Sequence, residues 1–152
     1  MLDVRRIMSD SAALFLWSTC PKLEMAIATI NAWGLYYRGV AYVWVKTRRD
    51  GQIFGATGVT PTFTKPTSEL VLAASTCRRG RPFPILDLKQ AQVVLAPRGE
   101  HSSKPPIIRS HIESLCGARP RIELFARGSV PGWDVWGEEA APTPEMIERF
   151  SR

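Results

Sequence analysis

The sequence holds 152 residues, 45% of them apolar, with a formal net charge of +6 and a pI near 9.7. This length suits one compact domain, and the apolar share argues against disorder. No apolar run reaches the roughly 18 residues that a membrane span needs, and nothing after Met1-Leu2-Asp3-Val4-Arg5-Arg6 has the pattern of a cleaved signal peptide.

The first strong pattern is the apolar run Ala12-Ala13-Leu14-Phe15-Leu16-Trp17, ended by Ser18-Thr19. It predicts a strand buried on both faces, as in a parallel sheet. A helix is expected next, with Pro21 in its first turn. Its apolar face is Leu23, Ala26, Ile27, Ile30 and Trp33, and Gly34 stops it. Val40 to Lys46, rich in β-branched and aromatic residues, predicts a second strand. A long polar stretch with Gly51, Gly55, Gly58, Pro61 and Pro66 runs from Thr47 to Ser68. A loop of that length is usually functional or mobile.

Glu69 to Ser75 is the third strand candidate, followed by a basic turn, Arg78-Arg79-Gly80-Arg81-Pro82. Gln92 to Ala96 is a short strand candidate. Pro105 is expected to open a helix with Ile108, Ile112 and Leu115 on its apolar face and Gly117 at its end. Arg121 to Ala126 predicts a strand, Val135-Trp136 a brief one, and Thr143-Pro144-Glu145 the capped start of a terminal helix. Strands of buried type alternate with amphipathic helices, the pattern of an α/β fold with helices over a mostly parallel sheet. Ligands bind such sheets beyond the carboxyl ends of their strands. The loops after Trp17, Lys46, Ser75 and Ala126 are therefore the places to look.

Several familiar chemistries are missing from the sequence. It has no Gly-x-Gly-x-x-Gly fingerprint, phosphate-binding loop, His-Glu-x-x-His or Gly-x-Ser-x-Gly. Cys20, Cys77 and Cys116 are too scattered for a disulfide framework or a metal pair and read as reduced thiols of a cytoplasmic protein. His101 and His111 are too few for a histidine metal cluster, and His111 reads as a packing or surface residue. His101-Ser102-Ser103-Lys104-Pro105-Pro106 precedes a helix, where hydroxyls, backbone amides and the Lys104 charge can hold an anion; a plain helix start with a solvated lysine accounts for it equally. The strand ending at Arg127 and the loop with Gly128, Gly132, Trp133, Trp136, Gly137 and Glu138 offer an aromatic wall and close backbone approach to a flat ligand. Ordinary packing explains either tryptophan as well. Glu123, in an apolar strand, needs a partner, with Lys104 and Arg127 as the candidates. The basic surplus suits a polyanion, although many soluble domains carry as much charge.

Taken in order, Leu14-Phe15-Leu16-Trp17, Ala32-Trp33-Gly34, Val43-Trp44-Val45-Lys46, Gly58 with Ser68-Glu69-Leu70, His101-Ser102-Ser103-Lys104-Pro105, Glu123-Leu124-Phe125-Ala126-Arg127 and Gly132-Trp133-Asp134-Val135-Trp136-Gly137 resemble the MT-A70 family of adenine N(6)-methyltransferases. The resemblance covers Leu14 to Glu139. It implies an α/β, Rossmann-like methyltransferase sheet with helices on both faces, forming a domain over 1–140 with a tail over 141–152. S-adenosylmethionine is the implied methyl donor, and the 6-amino group of adenine in DNA, or less readily RNA, the implied acceptor. By the family's pattern Lys104 pairs with the cofactor's carboxylate, while Arg127, Gly128, Gly137 and Glu138 line its ribose and adenine pocket. Glu69 falls near the substrate face, and Arg78, Arg79 and Arg81 are the candidate phosphate contacts.

Two departures qualify this picture. The family's Asp-Pro-Pro-Trp motif, which accepts the amino hydrogens and stacks the extruded base, is absent, and only thirteen residues precede Leu14. A central N-terminal strand is thus expected to be missing, to be supplied by a protein partner or a longer gene product. Where the family has Gly-Asn this chain has Gly137-Glu138, whose carboxylate still accepts from ribose hydroxyls. The alternatives are a catalytically inactive subunit that binds or scaffolds nucleic acid, and a fragment.

Overall fold

The structure is a computed structural model and describes residues 3–55, 58, 60–61, 63–99, 103–140, 142 and 147. The chain divides into two compact units, one of Asp10–Cys116 and one of Met1–Ser9 with Gly117–Arg152.

The Asp10–Cys116 unit is built on a four-stranded sheet. Its strands are β1 (Ala13–Thr19), β2 (Tyr36–Thr47), β3 (Ser68–Ser75) and β4 (Val93–Pro97), in the order β1-β3-β2-β4. The sequence marks each of these segments. β3 lies between β1 and β2 and runs antiparallel to both, whereas β4 runs parallel to β2. The mostly parallel sheet expected from the apolar runs is therefore corrected to a mixed one. An apolar run reports burial, and it carries no information about the direction of a neighbour. β1 is half-buried along Ala13–Trp17, and among the described residues it pairs only with β3. It is an edge strand of this sheet. The pairing of β2 with β3 shifts register around Gly39, which has a φ of 119°.

Both faces of the sheet are covered. Val71 and Leu72 are successive residues of β3 and so point to opposite faces, and neither has exposed surface. On the Val71 face, Tyr42, Val71, Val94 and Ile108 form a core against which Phe15, Trp17 and Ile112 pack. Ile108 and Ile112 belong to α2 (Pro106–Cys116). The helix starts at Pro106, where a missing N–H costs nothing, and Gly117, with a φ of 72°, follows its end. The other helix, α1 (Leu23–Ala32), follows a 3-10 turn at Cys20–Lys22 that contains Pro21. It buries Ala26 and Ile30, packs on β1 and β2, and gives way at Gly34, with a φ of 69°. Ala26, Ile30 and Ile108 of the predicted stripes are buried and their other members half-buried, while Cys116, outside the predicted stripe, is buried as well. No helix among the described residues is long and apolar enough to cross a membrane.

The second unit contains a 3-10 turn (Val4–Ile7) and two short parallel strands, β5 (Ile122–Leu124) and β6 (Asp134–Trp136). The strand expected to run to Ala126 stops at Leu124, because Phe125 adopts a left-handed φ of 59°. Past that turn the Ala126 amide donates to the Trp136 carbonyl at 3.1 Å. Ala126, Val135 and Ala140 form a small core. The predicted helix start at Thr143-Pro144-Glu145 lies outside the described residues, as does most of the 141–152 tail.

Candidate functional site

The register gathers charge at one end of the four-stranded sheet. Thr19 pairs with Glu69, Trp44 with both Glu69 and Val94, and Lys46 with Ala96. The carboxyl ends of β1, β2 and β4 therefore meet the amino end of β3. Glu69 is buried there. Lys46, two residues beyond Trp44 and so on the same face, places its Nζ 2.6 Å from Glu69 Oε1. Lys104, in the loop entering α2, donates from Nζ to Glu69 Oε2. Each carboxylate oxygen thus has its own ammonium.

Two indoles hold these cations. Lys46 Nζ lies 5.3 Å from the centre of the Trp44 ring and Lys104 Nζ 5.2 Å from that of Trp17, distances at which the ring quadrupole attracts a cation. The two rings meet edge to face at 5.9 Å. Trp44 is itself fixed, being 1% exposed with its Nε1 donating to the Ala96 carbonyl at 2.9 Å. Burial pushes the Glu69 carboxyl up, but the hydrogen bonds and charges of Lys104 and Lys46 outweigh it, and the net shift is downward from 4.5. Glu69 is ionised at neutral pH. With two cations around one anion, the cluster keeps one positive charge in excess, which suits an incoming carboxylate or phosphate.

The second unit offers a groove of about 490 Å³ lined by Phe125, Ala126, Arg127, Trp136, Gly137, Glu138 and Glu139. Gly137 is required by its surroundings, since a Cβ there would lie 2.3 Å from the Ala126 carbonyl oxygen. Gly128 has open space in the same position and is not demanded by packing. Arg127 Nε lies 3.8 Å from Glu139, with both side chains exposed. Trp136 meets Phe125 edge to face at 5.9 Å, and Trp133 carries the Arg121 guanidinium 5.7 Å from its ring centre. The tryptophan loop is thus partly an aromatic wall and partly ordinary packing.

The structure brings together two residues that the sequence assigned to different tasks. Lys104, the expected cofactor residue, and Glu69, the expected substrate-side residue, form one ion pair. Arg127, Gly137 and Glu138 share the groove of the other unit. Arg78, Arg79 and Arg81 are exposed in the turn after β3. Since β3 is reversed, that turn lies at the other end of the sheet, next to Ala13 and Tyr36, which pair with Ser75. The loop after Ser75 therefore does not join those after Trp17 and Lys46, contrary to expectation. β3 has eight residues, so its ends are roughly 23 Å apart at about 3.3 Å per residue. His101 and Ser102 lie outside the described residues. His111 is half-buried, its ring 5.8 Å from that of Tyr42.

Sequence reading missed Lys46, Trp17 and Trp44 as site residues. A faint signal was present: Lys46 is a charge at the end of an otherwise apolar and aromatic strand, and alternation puts it on the same face as Trp44. What joins them to Glu69 is strand register, which no local pattern carries.

Comparison with known proteins agrees with this architecture. The MT-A70 family model matches residues 1–139. The type II methyltransferase M.MunI of Mycoplasma sp is 34% identical over 140 residues, covering 91% of this chain and 54% of that protein. The chain spans about half the length of this curated relative. The mixed sheet with helices is consistent with a Rossmann-like methyltransferase fold, and the match over nearly the whole sequence shows that the chain belongs to the MT-A70 family.

Proposed function

We propose that this chain supplies the cofactor-binding part of an S-adenosylmethionine-dependent methyltransferase that acts on the 6-amino group of adenine in DNA. One observation carries the reading: the Lys46–Glu69–Lys104 cluster, with its excess positive charge and two indoles, lies where the carboxyl ends of three strands converge. Ligands of open α/β sheets bind at such an end. A donor set of one accessible ammonium beside an indole fits the methionyl carboxylate of the cofactor. Lys104, 37% exposed in its side chain, is the arm that reaches solvent, against 16% for Lys46. The groove of the other unit, taken by itself, presents Arg127, Gly137 and Glu138, a set that suits a flat ligand with hydroxyls for Glu138 to accept from.

The cofactor, when bound, supplies an electrophilic methyl group. The chain's residues would do the rest by orientation, since holding donor and acceptor in line contributes much of the acceleration. Adenine's amino nitrogen is a weak nucleophile, and its hydrogens need acceptors. The sequence contains no Asp-Pro-Pro-Trp, so this reading assigns that task to a segment outside the given sequence, of the same or another polypeptide, whose strand pairs with the outer edge of β1. That edge is apolar, and among the described residues nothing pairs with it. The net charge of +6 favours a polyanionic substrate, with Arg78, Arg79 and Arg81 as exposed phosphate contacts remote from Glu69.

Calorimetric titration of the chain with S-adenosylmethionine tests the reading. Saturable binding is expected, weakened about tenfold or more in Lys104→Met, the loss of one charge-assisted contact. A folded chain that does not bind, or a Lys104→Met variant that binds as the wild type does, contradicts it. A subunit that binds DNA in a salt-sensitive way without binding the cofactor is then the better description.

A further inference from the structure

We infer that Glu69 is a holding site for Lys104 and that Lys46 is a positioning residue that lets Lys104 leave it for the ligand. The inference rests on the reading of Lys104 as the carboxylate-binding arm and goes beyond it by assigning work to two residues that do not contact the ligand.

Without ligand, both oxygens of the buried Glu69 carboxylate are occupied, one by Lys46 and one by Lys104. Lys104 already shares its charge and one of its three N–H groups with Glu69, so an incoming carboxylate competes with Glu69 for it and is bound most strongly when Lys104 moves over to it. Were Lys104 its sole partner, its departure would strand a buried anion, the costly case among buried ion pairs. Lys46 removes that obstacle. It is fixed in β2, less exposed than Lys104, seated against the Trp44 ring and 2.6 Å from the opposite oxygen. When Lys104 moves away, Glu69 keeps one counter-ion and the residual cluster is neutral. Lys104 comes from a loop, and its ammonium rests on the Trp17 ring, a contact that a small swing of the side chain can keep. The geometry is that of an exchange: one carboxylate gives up a cation to another, and the second lysine makes the exchange inexpensive.

The roles predict an unusual pattern of coupling. Lys46→Met leaves Glu69 with Lys104 alone, so Lys104 is trapped and binding of S-adenosylmethionine weakens by about tenfold, although Lys46 does not touch the ligand. Glu69→Gln frees Lys104, so binding stays equal to that of the wild type or tightens. In the double variant Lys46→Met/Glu69→Gln nothing traps Lys104, and affinity returns to that of Glu69→Gln. Lys46→Arg retains the counter-ion and binds as the wild type does. A purely structural role for Lys46 would not be relieved by removing a second charged group.

The experiment is calorimetric titration of the full chain and these variants with S-adenosylmethionine, and with 5′-methylthioadenosine, which lacks the amino-acid carboxylate. Loss in Lys46→Met, recovery in the double variant, and affinities for 5′-methylthioadenosine within about twofold throughout support the inference. Wild-type affinity in Lys46→Met alongside a loss in Lys104→Met overturns it and leaves the carboxylate reading standing. A loss in Lys46→Met that Glu69→Gln does not relieve also overturns it. No loss in Lys104→Met defeats the carboxylate reading itself. Should Lys46→Met fail to fold, Glu69→Gln decides, because weakened binding there contradicts a holding role.

Discussion

Glu69 is the second residue of β3 and is followed by Leu70, Val71 and Leu72, a setting in which a carboxylate survives only with partners. Burial raises its pKa, while the Lys104 and Lys46 hydrogen bonds and charges lower it further than burial raises it. The native state therefore releases the Glu69 proton more readily than the unfolded chain does. By linkage its contribution to stability is present above the unfolded pKa and is lost as pH falls through the lower folded value. Glu69→Gln is expected to be less stable than the wild type at pH 7 by about 3 kcal/mol, at the low end for a buried pair because Lys104 is partly screened by solvent. The deficit should shrink as pH drops below about 4.5. Thermal melts across pH 3–8 check this, and a deficit of equal size at both ends of the range contradicts it. The sequence named Glu69 and Lys104 but not their contact. A charged residue in an apolar strand announces that it needs a partner, without saying which one.

Helices and most strands were legible one by one. Pro21 and Gly34 bracket α1, Gly117 follows α2, whose start falls at Pro106, one residue past the expected Pro105, and alternation or apolar runs mark β1 to β4. β5 was read too long because the turn at Phe125 is imposed by non-local contacts: Ala126 is held by the Trp136 carbonyl and pressed by Gly137. Strand neighbours were not legible at all, and β1 shows the consequence. Its sequence is that of an interior strand, with no lysine, proline or bulge of the sort that protects a sheet edge. If a further strand completes the sheet there, alternate outward-facing β1 amides should exchange quickly in the chain alone. They should become protected when the portion of M.MunI that this chain does not match is co-expressed with it. Unchanged exchange in a complex with that polypeptide, or no complex at all, counts against completion at β1.

For the whole molecule, the decisive feature is the reversal of β3. It carries Glu69 to the end where β1, β2 and β4 finish and sends the Arg78–Pro82 turn to the other. A parallel sheet would have put the loop after Ser75 beside those after Trp17 and Lys46, and the sequence alone favoured that arrangement. The family resemblance supplied Lys104 and Glu69 as candidates, whereas the register supplied the cluster those two belong to. The account therefore stands on one location. Ultraviolet cross-linking of methyl-labelled S-adenosylmethionine to the intact chain, followed by peptide mapping, tests it most directly. Label on segments containing Trp17–Thr19 or Ser103–Pro106 is the result predicted; label confined to Thr76–Pro82, at the opposite end of the sheet, would contradict it.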